Sequence, residues 1–106
     1  MKQPAVYIMA SGFRETIYIG VTSDLPQRDY NHKNKTILGF TQKHGCTMLV
    51  WYEMHEAMES AIWREKQLKA GSRTAKINLI EKNNPFWHDL SPSIQGLSMR
   101  EKSKLR

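Results

Sequence analysis

Two runs rich in β-branched and aromatic side chains, AVYIMA at residues 5–10 and TIYIGV at residues 16–21, are separated only by SGFRE. Side chains alternate between the faces of a strand, and so short a gap holds a turn and nothing larger, so the runs are expected to pair as an antiparallel hairpin. With Gly12-Phe13 as a two-residue turn, Tyr7 lies opposite Tyr18. Parity puts Val6, Ile8, Ile17, Ile19 and Val21 on one face and both tyrosines on the other. Gly20 shares the tyrosines' face, and its missing side chain is expected to leave open space beside Tyr18.

The rest of the chain reads as alternating helix and strand. DLPQRDYNHKN, residues 24–34, is expected to be a helix capped by Ser23 or Asp24, with Pro26 tolerated in its first turn. GFTQKHG, residues 39–45, is a glycine-bounded connection or a short helical turn, and CTMLVWYE, residues 46–53, is a third strand apolar enough to be the central one. A long helix is expected from about Glu56 to Ala70, closed by Gly71. RTAKINLIEKN, residues 73–83, continues as a helix with Ile77 and Ile80 on one face. NPFWHDL then ends the domain, with Pro85 as a stop and Phe86 and Trp87 as packing anchors. The expected fold is α+β, a small three-stranded, mainly antiparallel sheet flanked by helices. It spans residues 1–90, with a basic, disordered tail over 91–106.

Composition narrows the function classes. A hydrophobic share of 40% in 106 residues argues for one folded domain, and no apolar run approaches the ~20 residues of a membrane span. The N-terminus lacks the apolar core of a signal peptide, so a cytoplasmic protein is expected. Cys46, the lone cysteine, sits in an apolar run and reads as a buried structural thiol. The net charge of +6 is concentrated in Arg64, Lys66, Lys69, Arg73, Lys76 and Lys82 and in the tail. Such density is the footprint of a phosphate-backbone binder, although solvated helix faces carry similar charge.

Two helices carry side chains that a core-facing surface would exclude. On the long helix the apolar stripe runs Met58, Ala61, Ile62, Leu68, and a 100° step per residue puts Glu65 in its middle. A carboxylate there needs a partner, either a metal ion or a cation such as Lys69 or an arginine elsewhere. On the first helix Arg28 and His32 stand one turn apart, beside Leu25 on the inner side. Two tyrosines, an arginine, a histidine and a carboxylate, all inward-facing, suit phosphodiester hydrolysis, which needs a cation on the phosphate, a base for water and a carboxylate for a divalent ion.

The ordered set of motifs resembles the GIY-YIG nuclease domain, most closely its small stand-alone bacterial members. VYI at 6–8 and YIG at 18–20 carry the name motif, with Ala5 and Val6 standing where the name has glycine and isoleucine. Arg28, His32, GFT at 39–41, LVWYE at 49–53, AIWREKQLK at 61–69, RTAKINLI at 73–80 and NPFWHDL at 84–90 follow in order. The resemblance implies a metal-dependent endonuclease, with DNA the favoured substrate and RNA open. In it, Glu65 would bind Mg²⁺ or Mn²⁺ and Arg28 would hold the scissile phosphate. Tyr7 would be the general base, or relay to it, with His32 taking its proton, and Tyr18 would orient water or phosphate. Gly20 would admit the nucleic acid backbone, and Arg64, Lys66, Lys69, Arg73 and Lys76 would bind it. Val21 stands where several relatives carry a lysine, and either Asn78 or Asn84 answers the family's late asparagine. The alternative is a non-catalytic nucleic-acid-binding module within a repair or recombination assembly.

Overall fold

The computed structural model describes residues 3–34 and 45–94. In chain order these form β1 (Ala5–Ala10), β2 (Ile17–Thr22), α1 (Leu25–Lys33), β3 (Met48–Met54), α2 (Met58–Ala70) and α3 (Arg73–Asn83). The three strands make one antiparallel sheet in the order β2-β1-β3, the α+β architecture expected. Most of the 39–45 stretch lies outside the described residues.

The central strand is β1, not β3 as its apolar run suggests. All six β1 residues are buried, whereas the last three of β3 are only partly so. AVYIMA offers no charged side chain on either face and must be covered on both. The β3 strand carries Glu53, which an edge tolerates. An irregularity between Ile8 and Met9 shifts the β1–β3 register, so that Ile8 faces Trp51 while Met9 faces Leu49.

The hairpin register also differs from the expected one. Tyr7 pairs with Gly20 and Met9 with Tyr18, a displacement of two residues. The turn is longer than Gly12-Phe13 allows: the Ser11 amide donates to the Thr16 carbonyl and the Glu15 amide to that of Gly12. A two-residue displacement preserves parity, so both tyrosines still share a face.

That parity sorts the core into two layers. Val6, Ile8 and Ala10 pack with Ile19, Ala61, Ile80 and Trp87 on the side covered by α2 and α3. Ala5, Tyr7 and Met9 pack with Leu25, Cys46, Leu49 and Ile94 on the α1 side. Cys46 is fully buried, as expected. Phe86 is not the anchor expected, being 72% exposed, while its neighbour Trp87 is buried in a left-handed backbone conformation and donates its indole N–H to Glu81.

Local signals explain the helix ends. The Asp24 side chain accepts from the Gln27 amide and Pro26 falls in the first turn, which settles the cap in favour of Asp24. Ser72 caps α3 by accepting from the Ala75 amide. Gly71 does close α2, but with extended backbone. The inner face of α2 departs from the expected stripe at Ile62, which is exposed. At the far end Ser91 and Ile94 are buried in a helical turn, so the packed chain runs past residue 90. Residues 95–106 lie outside the described part. Among the described residues no helix is long and apolar enough to cross a membrane.

Candidate active site

Tyr7 rises from the central strand toward α1, and its ring lies across Gly20. A Cβ at Gly20 would sit 2.5 Å from both Cζ and Oη of Tyr7 and 3.0 Å from the Tyr18 ring. The space expected beside Tyr18 is therefore filled by Tyr7, and Gly20 serves to seat that ring. Any other residue in β2 at this position would displace the tyrosine.

His32, on the inner side of α1, places Nε2 3.0 Å from the Tyr7 hydroxyl. It is only 1% exposed. Burial, then the nearby cations Arg28 and Lys33, lower its pKa to about 4, so the ring is neutral at neutral pH. Arg28, one turn earlier, lies close enough to the Tyr7 hydroxyl for its charge to favour the ionised phenol. In the tautomer that carries its proton on Nδ1, the neutral ring accepts the Tyr7 hydroxyl proton at Nε2. Nδ1 is buried with no hydrogen-bond partner among the described residues. Burial raises the Tyr7 pKa well above the ordinary phenol value and Tyr18 adds to that, partly offset by Arg28, while Glu65 raises it further. Tyr7 thus keeps its proton at rest. The Tyr18 ring completes the cluster, 6.3 Å from that of Tyr7 and 5.5 Å from that of His32.

Glu65 approaches this cluster from α2. It is partly buried and close enough to act electrostatically on Tyr7. Lys69, one turn on, places Nζ 3.1 Å from Glu65 Oε2. Of the partners that the sequence leaves open for this carboxylate, the cation Lys69 is the one in place. Among the described residues no group of three His, Cys, Asp or Glu side chains could cage a metal ion. A single partly buried carboxylate does fit Mg²⁺, which keeps its waters and takes further oxygens from a phosphate instead of requiring an all-protein cage.

The basic run of α2 and α3 divides by geometry. Arg64 turns away, donating to Glu53 and Gln67 and lying over the Trp51 ring. Arg73 donates to the carbonyls of Arg14 and Glu15 and so fastens the hairpin loop. Lys66 is exposed. Lys69 and Lys76 instead line a groove along β2 with Ile17, Tyr18 and Ile19. Of the two candidate asparagines, Asn78 is exposed, and Asn84 is buried with its amide bonded to the Val50 and His88 carbonyls and the His88 amide. Asn84 is a fastening between α3, β3 and the following loop.

Sequence reasoning missed the group that holds α1 in place. Lys33 donates to the Thr47 carbonyl and to Asp89, each at 2.6 Å, and lies 3.6 Å from Asp29. Ser91 Oγ sits between Asp29 and Asp89, at 3.0 and 2.7 Å, and Asp89 also accepts from the Leu49 amide. Burial raises the Asp29 pKa, against the hydrogen bond from Ser91 and the charge of Lys33. For Asp89 burial acts the same way, but bonds from Lys33 and Ser91 outweigh it and hold the carboxyl low. The four-residue spacing of Asp29 and Lys33 is a readable signal of an ion pair. Their ties to residues 89 and 91 are not local and leave no such mark.

Residues 3–78 match the family model described as the GIY-YIG catalytic domain. The chain is also similar to the UPF0213 protein of Staphylococcus saprophyticus, 31% identical over 65 residues that cover 61% of this chain and 79% of that one. No solved structure matches it significantly.

Proposed function

The chain belongs to the GIY-YIG catalytic-domain family, and on that premise we propose that it is an endonuclease hydrolysing phosphodiester bonds of nucleic acid, DNA before RNA, in the cytoplasm. The observation that carries this reading is the buried hydrogen bond between Tyr7 and a neutral His32, within electrostatic reach of Arg28.

Each group has a part suited to its surroundings. Arg28 would hold a non-bridging oxygen of the scissile phosphate and stabilise the charge that builds there. A water in front of the Tyr7 hydroxyl would attack phosphorus as its proton passes to the tyrosine oxygen. The tyrosine's own proton would pass to His32 Nε2, so that no free phenolate has to form. The depressed pKa of His32 keeps Nε2 free to accept and favours prompt return of the proton to the leaving oxygen. Tyr18 would bound the space occupied by water and phosphate. Glu65 would hold Mg²⁺ or Mn²⁺ together with the substrate, where the ion supplies positive charge to the phosphate oxygens. Lys69 and Lys76 would contact flanking phosphates, with Lys66 at the margin.

The test is a Mg²⁺ titration against labelled single- and double-stranded DNA and RNA, resolved on denaturing gels. Cation-dependent cleavage abolished by Arg28→Ala is expected. Binding without cleavage in either Mg²⁺ or Mn²⁺ would favour the non-catalytic module.

A further inference from the structure

The Glu65–Lys69 pair has the geometry of a displaceable plug. Glu65 faces inward with its side chain 15% exposed, whereas Lys69 reaches it from solvent with 53% of its side chain exposed. A partly buried carboxylate requires a counter-charge whenever no metal is present, and the ammonium supplies it. The same ammonium lines the groove beside Tyr18 and Lys76. Lys76 extends its own ammonium to within 3.4 Å of the Lys69 carbonyl, so the two basic stems converge there.

We propose that Lys69 is an internal counter-cation which a divalent ion displaces from Glu65, and that the freed ammonium then binds nucleic acid phosphate in the Tyr18–Lys76 groove. This rests on Glu65 being the metal ligand. A dication on the carboxylate repels the ammonium, and the long exposed stem lets Lys69 swing away without moving α2. Without metal the groove offers a phosphate backbone one ammonium that is not paired with a carboxylate, that of Lys76, which rests on the Lys69 carbonyl; with metal it offers two. Divalent ion and nucleic acid should therefore bind with positive coupling, and the coupling is reciprocal.

The test measures Mn²⁺ binding to the free protein by electron paramagnetic resonance, without substrate. Lys69→Met should bind Mn²⁺ about two- to fivefold tighter than wild type, the range expected for removing a partly exposed competing ion pair. Lys69→Arg, which retains the charge, should match wild type, and Glu65→Gln should lose the site. A second arm reads a fluorescent DNA duplex in a Tyr7→Phe background, with intactness checked on a gel. There Mn²⁺ should strengthen duplex binding more with Lys69 present than with Lys69→Met. If Lys69→Met binds Mn²⁺ no tighter than wild type while Glu65→Gln has lost it, the plug is overturned and the metal reading of Glu65 stands. If Glu65→Gln binds Mn²⁺ and cleaves as wild type does, both fall. Mn²⁺ that binds neither wild type nor Lys69→Met also overturns the proposal.

Discussion

Both faces of β1 carry an apolar layer, but only one of them adds a polar network to it, although their residues alternate along one strand. On the α2–α3 side, Val6, Ile8 and Ala10 meet Ile19, Ile80 and Trp87, all apolar apart from the indole N–H that reaches Glu81. On the α1 side, Tyr7 meets His32 and Arg28, and behind them Asp29, Lys33, Asp89 and Ser91 form a chain of hydrogen bonds. Non-directional contacts stabilise the first face, while the second fixes the orientation of groups that apolar packing could not align. Damage to the first should therefore appear as lost stability, and damage to the second as lost chemistry in a protein that still folds.

The largest expected effect is at Glu65. Glu65→Gln keeps the shape but removes the charge, and cleavage should fall by orders of magnitude in a single-turnover assay, since each ~1.4 kcal/mol of lost stabilisation is tenfold in rate. Duplex binding and the thermal midpoint should hold. A Glu65→Gln protein that is merely unstable would move Glu65 to the structural face of the comparison.

Next comes Trp87→Ala, on the apolar face. Truncating so deeply buried an indole should lower unfolding free energy by about 3–5 kcal/mol in denaturant titrations, with residual activity following the folded fraction. Gly20→Ala sits between the faces: its Cβ would collide with Tyr7, so about 1–3 kcal/mol of stability and most of the cleavage rate should be lost together. Gly71→Ala is the control, because there the nearest atom is an ordinary 3.4 Å away and the backbone has negative φ; its effect should stay within about 0.5 kcal/mol.

A subtler effect is in pH. His32 has its folded-state pKa lowered to about 4 from an ordinary value of 6.5. Between those values the unfolded chain binds a proton that the native protein does not, so stability rises with pH through that window. Its contribution is complete above about pH 6.5 and is lost as pH falls toward 4, amounting to roughly 3 kcal/mol at most. Denaturation of wild type and His32→Gln across this range isolates the effect, because the variant should lack that part of the slope. The smallest effect concerns Lys66, exposed and away from the groove lining. Lys66→Met should leave the salt dependence of duplex binding almost unchanged, whereas Lys76→Met should reduce the log–log slope by about 0.7–0.9.

What could be read from the residues follows the range of the forces involved. Strand parity, the three helices and the inward placement of Arg28, His32 and Glu65 depend on local periodicity, and the structure has all of them. The hairpin register escaped because its turn is held from afar: Arg73, some 59 residues along from Arg14, fastens the loop carbonyls and favours a longer connection than Gly12-Phe13 suggests. The strand order escaped for a similar reason, since an apolar run signals burial without saying which neighbours provide it. Gly20 was legible as a special position, but its purpose depends on where the Tyr7 ring comes to rest. Charge density along Arg64–Lys82 was plain, while the diversion of Arg64 and Arg73 into structural contacts depends on Glu53 and the hairpin loop, both distant in sequence.

The central claim is that the polar face of β1 is a proton-transfer device and not merely a buried hydrogen-bond network. Tyr7→Phe tests it most directly, because it deletes one oxygen from a 1%-exposed side chain and leaves the packing intact. Measured by single-turnover cleavage of a labelled duplex in Mg²⁺, the variant should be slower by about 10²–10⁴-fold at full folding, with unchanged duplex affinity and a stability loss limited to the about 1–3 kcal/mol of one orphaned buried nitrogen. A Tyr7→Phe protein that cleaves at the wild-type rate, or one whose rate falls only as its folded fraction falls, would contradict the account.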